Sequence, residues 1–191
     1  MLNWILKTYF KLAGWKVINN LSPDIKKALF VVGPHNRTAD FIIGICVRPV
    51  LNLNINYLGK EELFRPPFGW LFRYLGGTPV YRTKSTNFVQ QVAETFNNHE
   101  NLLVAMAPEG TRKNISKLRT GFYYMAHAAK IPLIMVGFDY PRKLVILAEP
   151  FMTSGNFEQD MLKHYIPFFE TIGGFKKGWM KNYKEGKFNE N

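Results

Sequence analysis

Apolar positions follow two rhythms along this 191-residue chain, one near 3.6 residues and one short and continuous, and the two alternate. Residues 1–13 place Leu2, Ile5, Leu6, Tyr9, Phe10 and Ala13 at helical spacing, with Trp4, Lys7 and Lys11 between them. That spacing predicts an amphipathic helix with basic flanks. Such a helix can lie in a membrane interface or cover a protein core. Short buried strands are predicted over 29–33, 54–58, 78–82, 102–105, 131–138 and 143–147. Helices are predicted over 40–50, 86–98, 120–130 and 156–170. In the second of these, Phe88, Val89, Val92 and Phe96 share a face. Residues 59–74 are mixed, and Pro66-Pro67 breaks any long helix there. Strands that alternate with helices argue an α/β layered fold, with a mostly central mixed sheet flanked by helices. No repeat and no linker divides the chain, so 1–191 reads as one domain. The stretch 173–191 reads as a basic aromatic tail, five lysines interspersed with Phe175, Trp179, Tyr183 and Phe188. It is either a frayed end or an interfacial anchor.

Charge narrows the partners without choosing one. Lys and Arg number 25 against 14 Asp and Glu, a formal charge of +11. Polyanions are attracted: nucleic acid, anionic lipid headgroups, coenzyme A or an acidic carrier protein. The single cysteine, Cys46, excludes an internal disulfide, and its place in the apolar run 41–47 predicts a buried structural thiol rather than a nucleophile. A reducing compartment fits. No apolar run approaches the roughly 20 residues a helix needs to cross a bilayer, and the first residues lack a signal-peptide layout.

Three constellations carry chemistry. In Pro34-His35-Asn36-Arg37-Thr38-Ala39-Asp40, the histidine follows a predicted strand and the aspartate opens a predicted helix. A turn there can fold the carboxylate onto one ring nitrogen, which leaves the other to take a proton from a hydroxyl. The plain alternative is a loop histidine beside a helix-capping aspartate. The turn Pro108-Glu109-Gly110-Thr111-Arg112 follows a buried strand. Gly110 permits close backbone approach, Thr111 offers a hydroxyl, and Arg112 offers a planar fork for phosphate oxygens. Lys113, Lys117 and Arg119 follow. In Gly76-Gly77-Thr78-Pro79-Val80-Tyr81-Arg82, paired glycines lead into a strand, and Arg82 can reach a second phosphate oxygen or simply sit at the surface.

Taken in order over roughly residues 28–150, these blocks resemble those of the glycerolipid acyltransferase family, the group containing 1-acylglycerol-3-phosphate acyltransferases. His35 and Asp40 are similar to its His-x4-Asp block, 77–82 to its glycine-rich block ending in Arg, and 108–112 to its Pro-Glu-Gly-Thr-Arg block. Ile131-Pro132-Leu133-Ile134-Met135-Val136 resembles its last block. Pro34, Arg37, Tyr81 and Met135 depart from the usual pattern.

The resemblance implies a glycerol-3-phosphate acyltransferase-like fold and an O-acyltransferase of phospholipid biosynthesis. His35 would be the general base and Asp40 its orienting partner. Arg82, Glu109, Gly110, Thr111 and Arg112 would bind the acceptor's phosphate or shape its pocket. An acyl chain would pass from acyl-CoA or acyl-carrier protein, as co-substrate, to a lysophospholipid hydroxyl. Neither a metal nor a bound cofactor is expected. The partners would be a membrane lipid surface, the acyl donor and the lysolipid, with no nucleic acid. The place would be the cytoplasmic face of a membrane, held peripherally. Two alternatives stay within lipid chemistry, transfer to a lyso-ornithine or lyso-glycine lipid and non-catalytic binding of anionic lipid. Hydrolysis is a third, though no Gly-x-Ser-x-Gly elbow is present.

Overall fold

The computed structural model describes residues 1–22, 24–35, 37–80, 88–174 and 178–188. In chain order its elements are α1 (Leu2–Leu12), β1 (Lys16–Asn19), β2 (Lys27–Gly33), α2 (Ala39–Leu51) and β3 (Ile55–Lys60). A 3-10 turn (Glu61–Phe64), α3 (Gly69–Tyr74), β4 (Gly77–Val80), α4 (Phe88–Asn97) and β5 (Leu102–Met106) follow. Next are α5 (Gly121–Ala129), β6 (Leu133–Asp139), β7 (Leu144–Leu147), α6 (Phe157–Asp160), α7 (Ile166–Thr171) and α8 (Gly178–Lys184). Met161–Tyr165 forms a π-helical turn that joins α6 to α7.

Among the described residues, the strands form one sheet in the order β1-β7-β6-β2-β5-β3-β4. All neighbours are parallel except β6 and β7. The sheet is therefore mixed, as expected. Side chains alternate across it. On β2, Leu29 and Val31 join a core shared with α4, α5, α7 and α8, while Ala28 and Phe30 join a second core shared with α1 and α2. A strand buried on both faces must be apolar at nearly every position. This is why β2 and β6 read as continuous runs rather than alternating ones.

The register sets the functional edge. Val31 lies opposite Met106 on β5, and Gly33 lies opposite Gly137 on β6. The chain leaves β2 for α2 on one face and leaves β5 for α5 on the other. Loops from two adjacent strands that diverge to opposite faces open a crevice at the strands' C-terminal ends, where ligands bind in open α/β sheets.

Two expectations need correction. Residues 16–19, read as no element, form β1, a four-residue strand parallel to β7. The stretch 173–191 is not a frayed end or an outward anchor where the structure describes it. Trp179, Met180 and Tyr183 of α8 are buried, and so is Phe188. Phe175 falls outside the described residues. The physical reason is the spacing of Trp179 and Tyr183, four apart on one helix face, which lets both rings reach the core while Lys181 and Lys184 face water.

Candidate active site

His35 stands two residues beyond the end of β2, and Asp40 is the second residue of α2. The turn between them brings His35 Nδ1 to 3.0 Å from Asp40 Oδ2. The backbone N–H of Arg37 donates to the same oxygen at 2.8 Å, which closes the turn around the carboxylate. Asp40 also lies in the first turn of α2, where the helix dipole favours negative charge. Its side chain is 1% exposed and that of His35 is 25% exposed. The acceptor is thus sealed from water while the imidazole can still meet a substrate. With the carboxylate as acceptor, Nδ1 carries the proton of a neutral ring, which makes Nε2 the basic nitrogen.

A third partner arrives from the end of β6, the strand beside β2. The Tyr140 hydroxyl donates to Asp40 Oδ1, and the Arg37 guanidinium lies 4.4 Å above the Tyr140 ring. Burial and the Asp40 hydrogen bond push the Tyr140 phenol well above its ordinary value, so it stays a donor at any working pH. No sequence motif marked Tyr140.

The turn after β5 enters from the adjacent strand. Glu109 is buried, and its Oε1 accepts the His35 backbone N–H at 3.2 Å and the Trp179 indole N–H at 3.3 Å. Glu109 thus ties the His35 loop, the turn after β5 and α8 together. Its neighbours differ. Gly110, Thr111 and Arg112 line the cavity described next. Gly110 takes φ +60°, a left-handed conformation that a side chain would strain. The Arg112 guanidinium donates to the Thr38 hydroxyl just ahead of α2. Arg82 falls in 81–87, outside the described residues.

A cavity of about 950 Å³ is lined by His35 and by residues of α2. Its deep walls are apolar, with Phe30, Ile45, Leu51, Val136, Phe138 and Leu147 among them. Arg112, Lys113 and Arg119 stand at its polar part with His35. β6 contributes Val136 and Phe138, so the last of the four sequence blocks supports this wall. The arrangement can hold a long apolar chain in the depth and an anionic group near the imidazole. Cys46 is buried in the second core, and its thiol is pushed up by burial, which suits a structural role. Among the described residues, no cluster of His, Cys, Asp and Glu could hold a metal ion.

α8 also holds the loop beyond Arg112. The Trp179 N–H donates to Ile115 O at 2.9 Å, and the Leu118 N–H donates to the Tyr183 hydroxyl at 2.9 Å. The Asn182 side-chain amide donates to Ser116 O. The helical spacing of Trp179 and Tyr183 was the signal in the sequence that could have revealed this.

A family model described as Acyltransferase matches residues 15–139, from β1 through β6. Among solved structures, the chain is similar to the crystal structure of the 1-acyl-sn-glycerophosphate (LPA) acyltransferase, PlsC, from Thermotoga maritima. The TM-score is 0.58 with 18% identity, covering 99% of this chain and 79% of that one. At that identity the likeness speaks to the fold. A search of curated proteins finds no match.

Proposed function

Because this chain belongs to the acyltransferase family, and is an acyltransferase, we propose that it moves a fatty acyl chain from a thioester to the hydroxyl of a lysophospholipid such as 1-acylglycerol-3-phosphate. One observation carries the reading. The His35–Asp40 pair lines a largely apolar cavity together with Arg112, Lys113 and Arg119.

His35 Nε2 takes the proton of the acceptor hydroxyl as its oxygen attacks the thioester carbonyl. Asp40 offsets the charge that develops on the imidazolium. The tetrahedral intermediate collapses, the carbon–sulfur bond breaks and an ester remains. The departing thiolate takes the proton from the imidazolium. No acyl-enzyme is formed. Arg112, with Lys113 and Arg119, holds the acceptor phosphate, and the apolar depth holds the acyl chain. Gly110 and Thr111 shape the phosphate end, with Glu109 fixing their turn from behind. Acyl-CoA or acyl-carrier protein supplies the thioester, and either anion suits the basic mouth.

The acceptor and product are lipids, so the protein works at the cytoplasmic face of a membrane, held peripherally. Among the described residues no helix is long and apolar enough to cross one. What supports the peripheral reading is the outer surface of α1, where Trp4, Ile5 and Leu12 are exposed beside Lys7 and Lys11 while Phe10 is buried in the core. Phe68, Trp70 and Tyr74 around α3 are exposed as well. Aromatic rings and lysines settle at the headgroup level of anionic bilayers.

The test offers labelled acyl-CoA and acyl-carrier protein to purified protein against a panel of lysolipids, with His35→Ala run in parallel. Wild type is expected to give ester product, and the variant to lose about 10²–10⁴-fold in rate with its fold retained by circular dichroism. Transfer by His35→Ala at the wild-type rate would exclude the mechanism.

A further inference from the structure

We propose that Tyr140 is a positioning residue for the His35–Asp40 pair, one that fixes the rotation of the Asp40 carboxylate and moderates its charge. The inference rests on His35 being the general base. Tyr140 lies one residue past the end of β6 and outside the stretch that the family model matches.

The Asp40 carboxylate has two oxygens with separate duties. Oδ2 serves His35 Nδ1 and the Arg37 N–H. Oδ1 accepts the Tyr140 hydroxyl. A carboxylate can rotate about its last bond, and a buried one swings to whichever donors remain. A donor on Oδ1 therefore keeps Oδ2 turned toward the imidazole. The same hydrogen bond draws negative charge from Asp40, so the imidazolium is stabilised enough to accept a proton without holding it too tightly.

The ring that supplies this donor is itself held. The Trp15 indole meets it edge-on at 5.2 Å between centroids, and the Arg37 guanidinium covers one face at 4.4 Å. Its backbone begins the turn from β6 to β7, and the Arg142 guanidinium and N–H both bond to Asp139 in that turn. The parallel register explains how a residue so distant in sequence arrives. Gly33 pairs with Gly137, so His35 and Tyr140 leave the sheet at the same edge.

The experiment compares wild type with Tyr140→Phe, which removes one oxygen and keeps the ring. The readouts are kcat, both KM values and the pH dependence of kcat/KM. We expect kcat to fall about tenfold, with both KM values within about twofold. Asp40 unmoderated by the phenol binds the imidazolium more tightly, so the acid limb of the profile moves up by about half a unit. Asp40, Arg37, Arg112 and Glu109 face His35 or its loop, and Lys143 lines the small pocket beside the Tyr140 ring; all are unchanged in the variant. In an Asp40→Asn background, Tyr140→Phe is expected to cost nothing further, because its route to His35 is already cut. A merely structural tyrosine would lower stability without moving the acid limb, and its effect would add in that background. A wild-type profile for Tyr140→Phe, or full additivity with Asp40→Asn, while His35→Ala is inactive, overturns the inference and leaves the proposed mechanism standing. Wild-type activity in His35→Ala overturns both.

Discussion

At the residue scale, the site is a matter of which groups are sealed and which are open. Asp40 is sealed and His35 is open, and the difference follows from their places on a strand end and a helix start. That pair was legible in the sequence because five residues are just enough to leave a strand, turn and begin a helix. Tyr140 was not legible, since its hundred-residue separation is bridged only by sheet register. Glu109 was legible as a member of the turn after β5, but its inward direction was not. A sequence does not say that a buried indole waits behind it. Arg112 is the residue whose role is most open to kinetics. Arg112→Ala is expected to raise KM for a phosphorylated acceptor by about 10–100-fold, the loss of one charge-assisted hydrogen bond, and to leave KM for a neutral lysolipid nearly unchanged. Steady-state kinetics with the two acceptors checks this.

At the element scale, the strands and helices that flank the site followed the apolar pattern closely, because β2, β5 and β6 are buried on both faces. α8 did not announce itself. Its lysines suggested an outward surface, and only the four-residue spacing of Trp179 and Tyr183 betrayed a buried stripe. α8 lies against the loop that follows Arg112, so damage to it reaches the site. Trp179→Ala removes a fully buried ring and is expected to cost about 4 kcal/mol, read as a lower urea midpoint. Trp179→Phe retains most of the packing and loses the hydrogen bond to Glu109. It is expected to cost about 1 kcal/mol, with activity at saturating substrate reduced only severalfold. β1 escaped notice for a different reason: four residues with one alternation are too few for a period to show.

At the scale of the whole molecule, one sheet separates two cores, and the core under α5 and α7 has two buried carboxylate networks at its rim. Burial pushes the Asp139 carboxyl up, but the Arg142 guanidinium and the N–H groups of Arg142 and Gly173 outweigh it and hold the carboxyl low. Burial acts the same way on Asp160, where the Tyr123 hydroxyl and the Ser154 N–H prevail. Both folded values lie below the ordinary 3.8, so the stability they lend is complete above that pH. It is lost as pH falls through the lower folded values. Thermal midpoints are expected to be level above about pH 5 and to drop below about pH 4. Asp139→Asn is expected to lower the thermal midpoint at neutral pH, because an amide cannot accept from Arg142 and Gly173 with both of its ends, and to flatten part of that acid decline. Membrane association is tested at the same scale. Trp4→Ser with Leu12→Ser is expected to weaken sedimentation with anionic vesicles about tenfold or more, since each ring or chain withdrawn from the interface contributes about 1.5–3 kcal/mol. Activity on a dispersed short-chain acceptor should remain.

The bond between Glu109 and Trp179 also sets an order in time. The two residues are 70 positions apart, and the chain is made from its amino end. At about 5–20 residues per second, roughly 4–14 seconds separate the synthesis of the turn after β5 from that of the indole that pins it. α1 is made long before either. A nascent chain therefore holds the turn after β5 for those seconds before α8 can reach back and pin it.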